Sequence, residues 1–203
     1  MDRRAFLVGL AACAGCSGLE SQSTETLTPA PVQTPEPRDT SGSAGQRFAD
    51  IGCPSFLSSS LRRLCSHRLP PDPILTLEPR PVVVDADAEN ELVDPVWLTL
   101  RSNVTQEVTV FDASWAVYRY DDGHWASVAS GSGDGGGTTV DSRGRHYWVL
   151  HSERRDRTGV GVTDGRVTLS PGRYAFAVVA ITGTSRTTVE CIALFEVVRD
   201  GSP

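Results

Sequence analysis

Three features of the sequence predict an all-β protein built as an antiparallel sandwich. From Ile74 onward, short runs in which apolar and polar residues alternate are separated by turn-forming residues at intervals of about ten. No long helical pattern interrupts them. The third feature is Arg166 to Ala180, RVTLSPGRYAFAVVA, where Pro171 and Gly172 form a turn that feeds a strand through Tyr174, Phe176 and Val178. Leu169, Pro171, Gly172 and Tyr174 spell L-x-P-G-x-Y. A tyrosine leaving such a turn can return its hydroxyl to upstream backbone and pin the crossing between two sheets.

In order, the predicted strands are Ile74 to Leu77, Pro81 to Asp85, Val96 to Ser102, Thr105 to Phe111, Ser114 to Tyr120, Trp125 to Ser130, His146 to His151, Val167 to Ser170, Arg173 to Ile181 and Thr188 to Arg199. Asp121, Asp122 and Gly123 close the hairpin between Tyr120 and Trp125, because Asp and Gly tolerate the positive φ that tight hairpins require. In the last strand Val189, Cys191, Ala193, Phe195 and Val197 alternate against Glu190, Ile192, Leu194 and Glu196. Cys191 therefore falls in a core-facing row, as an inert buried thiol.

Residues 47–73 precede the strands and have a different texture. Phe56, Leu57, Leu61 and Leu64 recur at a spacing that predicts a short helix started by a serine, bracketed by Cys53 and Cys65. In an oxidising compartment such thiols pair. The bridge would close a loop of eleven intervening residues and stabilise by about 2 to 4 kcal/mol. Two further readings stay open. Cys53, Cys65 and His67 are three possible metal ligands, although C-x11-C-x-H matches no strong zinc pattern. Either cysteine could also exchange partners with Cys191.

The first sixteen residues, MDRRAFLVGLAACAGC, place Arg3 and Arg4 before an apolar run of eleven, Ala5 to Gly15. A membrane span needs roughly 20 residues, so the segment reads as an export signal ending in a small-small-Cys site. Cys16 is the preferred site of lipidation and Cys13 the alternative, since Leu10-Ala11-Ala12-Cys13 also fits a lipobox. One lipid chain, at about 0.8 kcal/mol per buried CH₂, holds a protein reversibly and two hold it stably. Residues 17–46, rich in Ser, Thr, Pro and Glu, have little apolar surface to bury and predict a disordered, extended spacer. Residues 74–199 are left for the sandwich.

These residues carry two resemblances. The twin arginine, short apolar segment and cysteine resemble the twin-arginine signal of archaeal and bacterial lipoproteins, which implies export and attachment to the outer face of the cell membrane. WLTLRSN (97–103), SWAVYRYDDGHW (114–125), HYWVL (146–150), LSPGRYAFAVV (169–179) and ALFEV (193–197) follow one another as in a bacterial immunoglobulin-like domain of exported lipoproteins. The match spans about residues 80–199 and consists of core and turn positions. It implies an immunoglobulin-like antiparallel β-sandwich and carries over no catalytic residue.

Composition narrows the chemistry. All 19 basic residues are arginine, against 25 acids, for a net charge of −6. Without a basic excess no nucleic-acid partner is expected. Without lysine there is neither a Walker-type phosphate lysine nor a Schiff base. Arginine in place of lysine, with excess acid, resembles proteins of halophilic archaea. The glycine-rich run Ser130 to Thr139 reads as a flexible loop. Asp85, Asp87, Glu89, Glu91 and Asp94 form a solvated acidic loop that lacks the EF-hand glycine and terminal glutamate. His146 and His151 are five apart and point to opposite faces of a strand, and His67 and His124 stand alone. Glu153 to Arg157 is a mixed-charge run, and Asn103-Val104-Thr105 is a glycosylation sequon.

The expectation is a non-enzymatic, lipid-tethered immunoglobulin-like module with no cofactor, held at the membrane and binding a surface protein or polymer. The alternative is a metal- or ligand-binding accessory lipoprotein of a transport or redox system.

Overall fold

Residues 44–57, 61–131, 136–152, 162–183 and 186–199 are described by the structure, a computed structural model. The signal with Cys13 and Cys16, the linker up to residue 43, residues 132–135 of the glycine-rich loop and the mixed-charge run Glu153 to Arg157 lie outside the described residues.

One helical turn, α1 (Ala44–Arg47), is followed by β1 (Arg62–Cys65), β2 (Leu75–Arg80), β3 (Val83–Ala86), β4 (Val96–Ser102), β5 (Val108–Asp121), β6 (His124–Ser130), β7 (Thr138–Val140), β8 (Arg145–His151), β9 (Val162–Arg166), β10 (Gly172–Thr182) and β11 (Thr187–Arg199). Among the described residues these strands form two sheets. The large sheet runs β1-β11-β10-β5-β6, with β3 beside the far half of β11 and β7 beside the near half of β5. The small sheet runs β2-β4-β8-β9.

The core lies between them because each long strand turns alternate side chains inward. On β4 the inward row is Val96, Leu98, Leu100; on β8 it is Trp148 and Leu150; on β11 it is Val189, Cys191, Ala193, Phe195 and Val197. Phe176 of β10 sits at the centre, with Trp115 and Trp148 at ring-centroid distances of 5.9 and 5.7 Å. The indole of Trp148 donates to Asp112 O at 2.9 Å, which lets its polar nitrogen be buried without penalty. Burial pushes the Cys191 thiol up to about 12, so it stays an unreactive core residue.

Several elements differ from the sequence-based expectation. The helix expected across Phe56 to Leu64 is replaced over Arg62–Cys65 by a strand, whose Leu64 and Cys65 lie beside Cys191 and Ile192 of β11. Two apolar residues in succession suit a strand covered on both faces as well as a helix, and the open edge of β11 decides between them. The two strands expected at Thr105 to Phe111 and Ser114 to Tyr120 are one, β5. The break between them survives as a bulge in which residues 111–114 stand opposite Val179 alone. Asp112 serves that bend: its carboxylate accepts from Ala113 N at 3.0 Å and Thr138 Oγ at 2.9 Å. Val167 to Ser170 is not a strand. Val167 and Leu169 are buried as their alternation suggests, but their N–H groups donate singly to His151 O and Asn90 O. The β9 strand lies just before them and pairs in parallel with β8. Among the described residues pairing is mainly antiparallel, with three parallel exceptions, β1 and β3 on β11 and β9 on β8.

Turn chemistry follows the residues. Asp122 and Gly123 both have positive φ, 45° and 83°, so the β5–β6 connection is the hairpin turn that Asp-Gly favours. At the corner, the Tyr174 hydroxyl donates to Ser170 O at 2.5 Å while its ring stacks on Phe195 at 5.6 Å. Arg119 holds the same turn from the neighbouring strand, donating to Ser170 Oγ at 2.8 Å and Pro171 O at 3.3 Å. A Cβ at Gly172 would stand 3.3 Å from Arg119 Nε, so glycine there leaves room for the guanidinium. Tyr174→Phe keeps the ring and deletes only the bond. Urea unfolding should show a loss of about 1 kcal/mol; an unchanged midpoint would mean that Arg119 alone secures the corner.

Candidate functional site

The outer face of the large sheet is covered over part of its area, and the cover ends in a cleft. Ala175, Ala177, Ile192 and Leu194 point away from the sandwich core yet are buried, because residues 44–57 fold over them with Phe48 and Ile51 inserted. The Cys53–Cys65 disulfide ties this segment to β1. His67 donates through Nε2 to Ile51 O at 3.0 Å and Arg68 to Ala49 O at 2.7 Å. Arg47–Glu196 at 2.5 Å and Arg173–Asp50 at 2.7 Å fasten its rim. These exposed pairs contribute little each. The Arg173 guanidinium lowers the Asp50 carboxyl from its ordinary value.

Phe56 ends the cover, stacked on Tyr118 at 3.6 Å with Trp125 edge-on at 5.7 Å. Next to it lies a cleft of about 240 Å³ lined by Phe56, Leu57, Tyr118, Gly131, Val179 and Glu190, among others. Leu57 leaves 56% of its surface in solvent, whereas Glu190 is 0% exposed. Glu190 occupies the outward row of β11, opposite Val179 on one side and Arg63 on the other. Its Oε1 accepts from Phe56 N–H at 3.2 Å. Its Oε2 is buried and has no hydrogen-bond partner among the described residues. Burial raises the carboxyl above its ordinary value, outweighing the Phe56 and Leu57 N–H groups and the Arg63 charge, which act the other way. Burial also raises the Tyr118 hydroxyl, and the neighbouring Glu190 charge adds to the effect.

A buried carboxylate with one oxygen unsatisfied costs stability. With its folded value raised, the contribution of Glu190 to stability is fully present below about pH 4.5 and is lost as pH rises through the raised value. Glu190→Gln is therefore expected to melt at a higher temperature than wild type at pH 7, the gap closing on acidification. A lower melting temperature at pH 7 would show that the charge supports the fold.

The residues singled out by sequence are dispersed. Cys53 and Cys65 are spent in the disulfide and His67 is buried on Phe48, its ring lowered from the ordinary histidine value by burial, so these three do not assemble as metal ligands. No group of three metal-ligating side chains exists among the described residues. In the acidic loop, Asp87 Oδ1 accepts from Glu89 N at 3.0 Å and Glu91 N at 2.8 Å, which commits that carboxylate to its own turn. His146 faces the core against Trp148 and His151 the other face, where it pairs with Asp164. Burial lowers His146 as well. His124 is exposed at the β5–β6 turn. Asn103 is exposed, and its Nδ2 donates to Pro73 O at 2.9 Å. Leu169, Pro171, Gly172 and Tyr174 form the corner described above, far in role from the cleft. Sequence reading missed Glu190 as a site residue. The available signal was a lone carboxylate inside the apolar run VECIALF of a covered strand.

Two sheets packed face to face, a buried tryptophan between them and a tyrosine-pinned corner define an immunoglobulin-like β-sandwich, with a disulfide-closed N-terminal segment over one outer face. No protein-family model matches the chain. No curated protein matches it significantly. Among solved structures, the structural-genomics target SoR45 is similar at 12% identity and a TM-score of 0.38, over 64% of this chain and 86% of its own. The PapD-like domain 7 of human CEP192 is similar at 12% identity and a TM-score of 0.34, over 73% of this chain and 96% of its own.

Proposed function

We propose that the protein is a non-enzymatic binding module of the cell envelope, tethered by lipid at Cys16 to the outer face of the membrane and presented by the extended spacer. The observation that carries the binding role is the cleft on the outer face of the large sheet, with a wholly buried Glu190 whose Oε2 is unpaired among the described residues. A polar group kept buried at a cost to stability, beside aromatic and apolar walls, is the usual arrangement of a recognition pocket. The volume of about 240 Å³ lies below the range of about 300 to 1,000 Å³ typical of drug-sized ligands. That size suits one projecting side chain of a surface partner or a small free ligand, the latter being the reading of a ligand-binding accessory lipoprotein.

Two measurements test this. Val179→Trp fills the cleft from an outward position of β10, and crosslinking on intact cells should lose the partners captured by wild type. An identical set of captured partners removes the cleft from the reading. For the tether, Cys16→Ser should move the protein from the membrane fraction to the medium. Retention in the membrane at the wild-type level would transfer the anchor to Cys13.

A further inference from the structure

We propose that the cleft receives a protonated primary amine on an apolar stem, whose ammonium donates to Glu190 Oε2. This rests on the binding-module reading and specifies its ligand.

The surroundings of Glu190 and the lining of the cleft point to that class. Glu190 is 0% exposed and its Oε2 has no partner among the described residues, so a donor is missing at the one atom where burial makes it most valuable. Its Oε1 is already used by Phe56 N–H. A planar guanidinium seeks both oxygens of a carboxylate, whereas a compact ammonium needs one. A metal ion would need several oxygen or nitrogen ligands, and no group of three ligating side chains exists among the described residues. The remaining lining supplies the rest of the fit. Phe56 and Tyr118, stacked face to face at 3.6 Å, form an apolar wall of the cleft. The side chains of Leu57, Ala177 and Val179 offer contact to a short aliphatic stem. Because the chain has no lysine, a second copy of it offers no such side chain. The amine belongs either to a small free ligand or to a lysine of another protein.

The experiment is a backbone-amide NMR titration of the full chain with n-butylammonium chloride, with 1-butanol as the uncharged control at matched ionic strength. Saturable shifts at Gly131, Val179 and Glu190 are expected with n-butylammonium and not with 1-butanol, and affinity should fall about tenfold or more in Glu190→Gln. No saturable shift in wild type, equal shifts with 1-butanol, or unchanged affinity in Glu190→Gln would each overturn the proposal. Should Glu190→Gln fail to fold, Glu190→Asp, which withdraws the carboxylate while keeping its charge, must weaken binding; unchanged affinity in that variant also overturns it. A blocked lysine tripeptide distinguishes the sources: tighter binding than n-butylammonium identifies a partner's lysine, weaker binding a small amine. If n-butylammonium does not bind while Val179→Trp still abolishes crosslinking, the amine is excluded and the binding module stands.

Discussion

Phe176→Ala should cost about 3 to 5 kcal/mol, the largest loss expected from any single side chain in the fold. Phe176 is fully buried at the centre of β10, with Val117 and Ala193 on the strands to either side and two indoles across its faces. Truncation leaves a void that neither Trp115 nor Trp148 is free to fill. Trp148 is held in place by its bond to Asp112 O, and both rings are packed on backbone that the sheets keep apart. Domains of this size have only about 5 to 15 kcal/mol of stability in total, so the variant should lose a large part of its folded margin. Urea unfolding followed by tryptophan fluorescence would show the midpoint falling with an unchanged slope. A loss below about 1 kcal/mol would mean that the two indoles collapse onto each other and that the centre of the sandwich is softer than its geometry indicates.

Removing the disulfide comes second, and its effect should be regional. The paired substitution Cys53→Ser with Cys65→Ser takes away a cross-link over eleven intervening residues and should cost about 2 to 4 kcal/mol. The bridge, though, joins the 44–57 cover to the sheet and lies outside the sandwich core. Without it, Phe48, Ile51 and Phe56 remain attached through side-chain contacts and a few hydrogen bonds such as His67 to Ile51 O. Hydrogen exchange should therefore accelerate over residues 44–57 and at Glu190 well before it does in β4 or β10. Reductant should reproduce the effect in the wild type. Uniform loss of protection across both sheets would show that the cover folds as one unit with the sandwich. Since Phe56 N–H is the partner of Glu190 Oε1, the same variant should also bind ligand in the cleft more weakly.

The strands were legible to different degrees, for physical reasons. Val96 to Ser102 is predicted with its observed ends, because each residue alternates between the core and the small sheet's outer face. β11 is also found, yet its row of Glu190, Ile192, Leu194 and Glu196 looks solvent-facing although the first three are buried. Alternation shows only that the two faces differ in chemistry; it does not show that a separate segment lies over the second. Phe56 and Leu57 illustrate the converse. Their apolar character is visible, but it reflects packing on Tyr118 and exposure at the cleft and has nothing to do with a helical face.

By itself the sequence determined the local features: the period-two runs, the Asp122-Gly123 hairpin, and the L-x-P-G-x-Y turn whose tyrosine can reach back to upstream backbone. Each of these depends on residues within a few positions of one another, where side-chain size and φ preference are decisive. Only the tertiary structure decided the parallel additions of β1 and β3 to β11, the Arg119 clamp on the corner, and the burial of Glu190. Those join residues more than 50 positions apart, such as Arg119 and Ser170 or Phe56 and Glu190. Which side chain finds an unfilled edge, or which carboxylate loses its water, depends on what the remainder of the chain has left open.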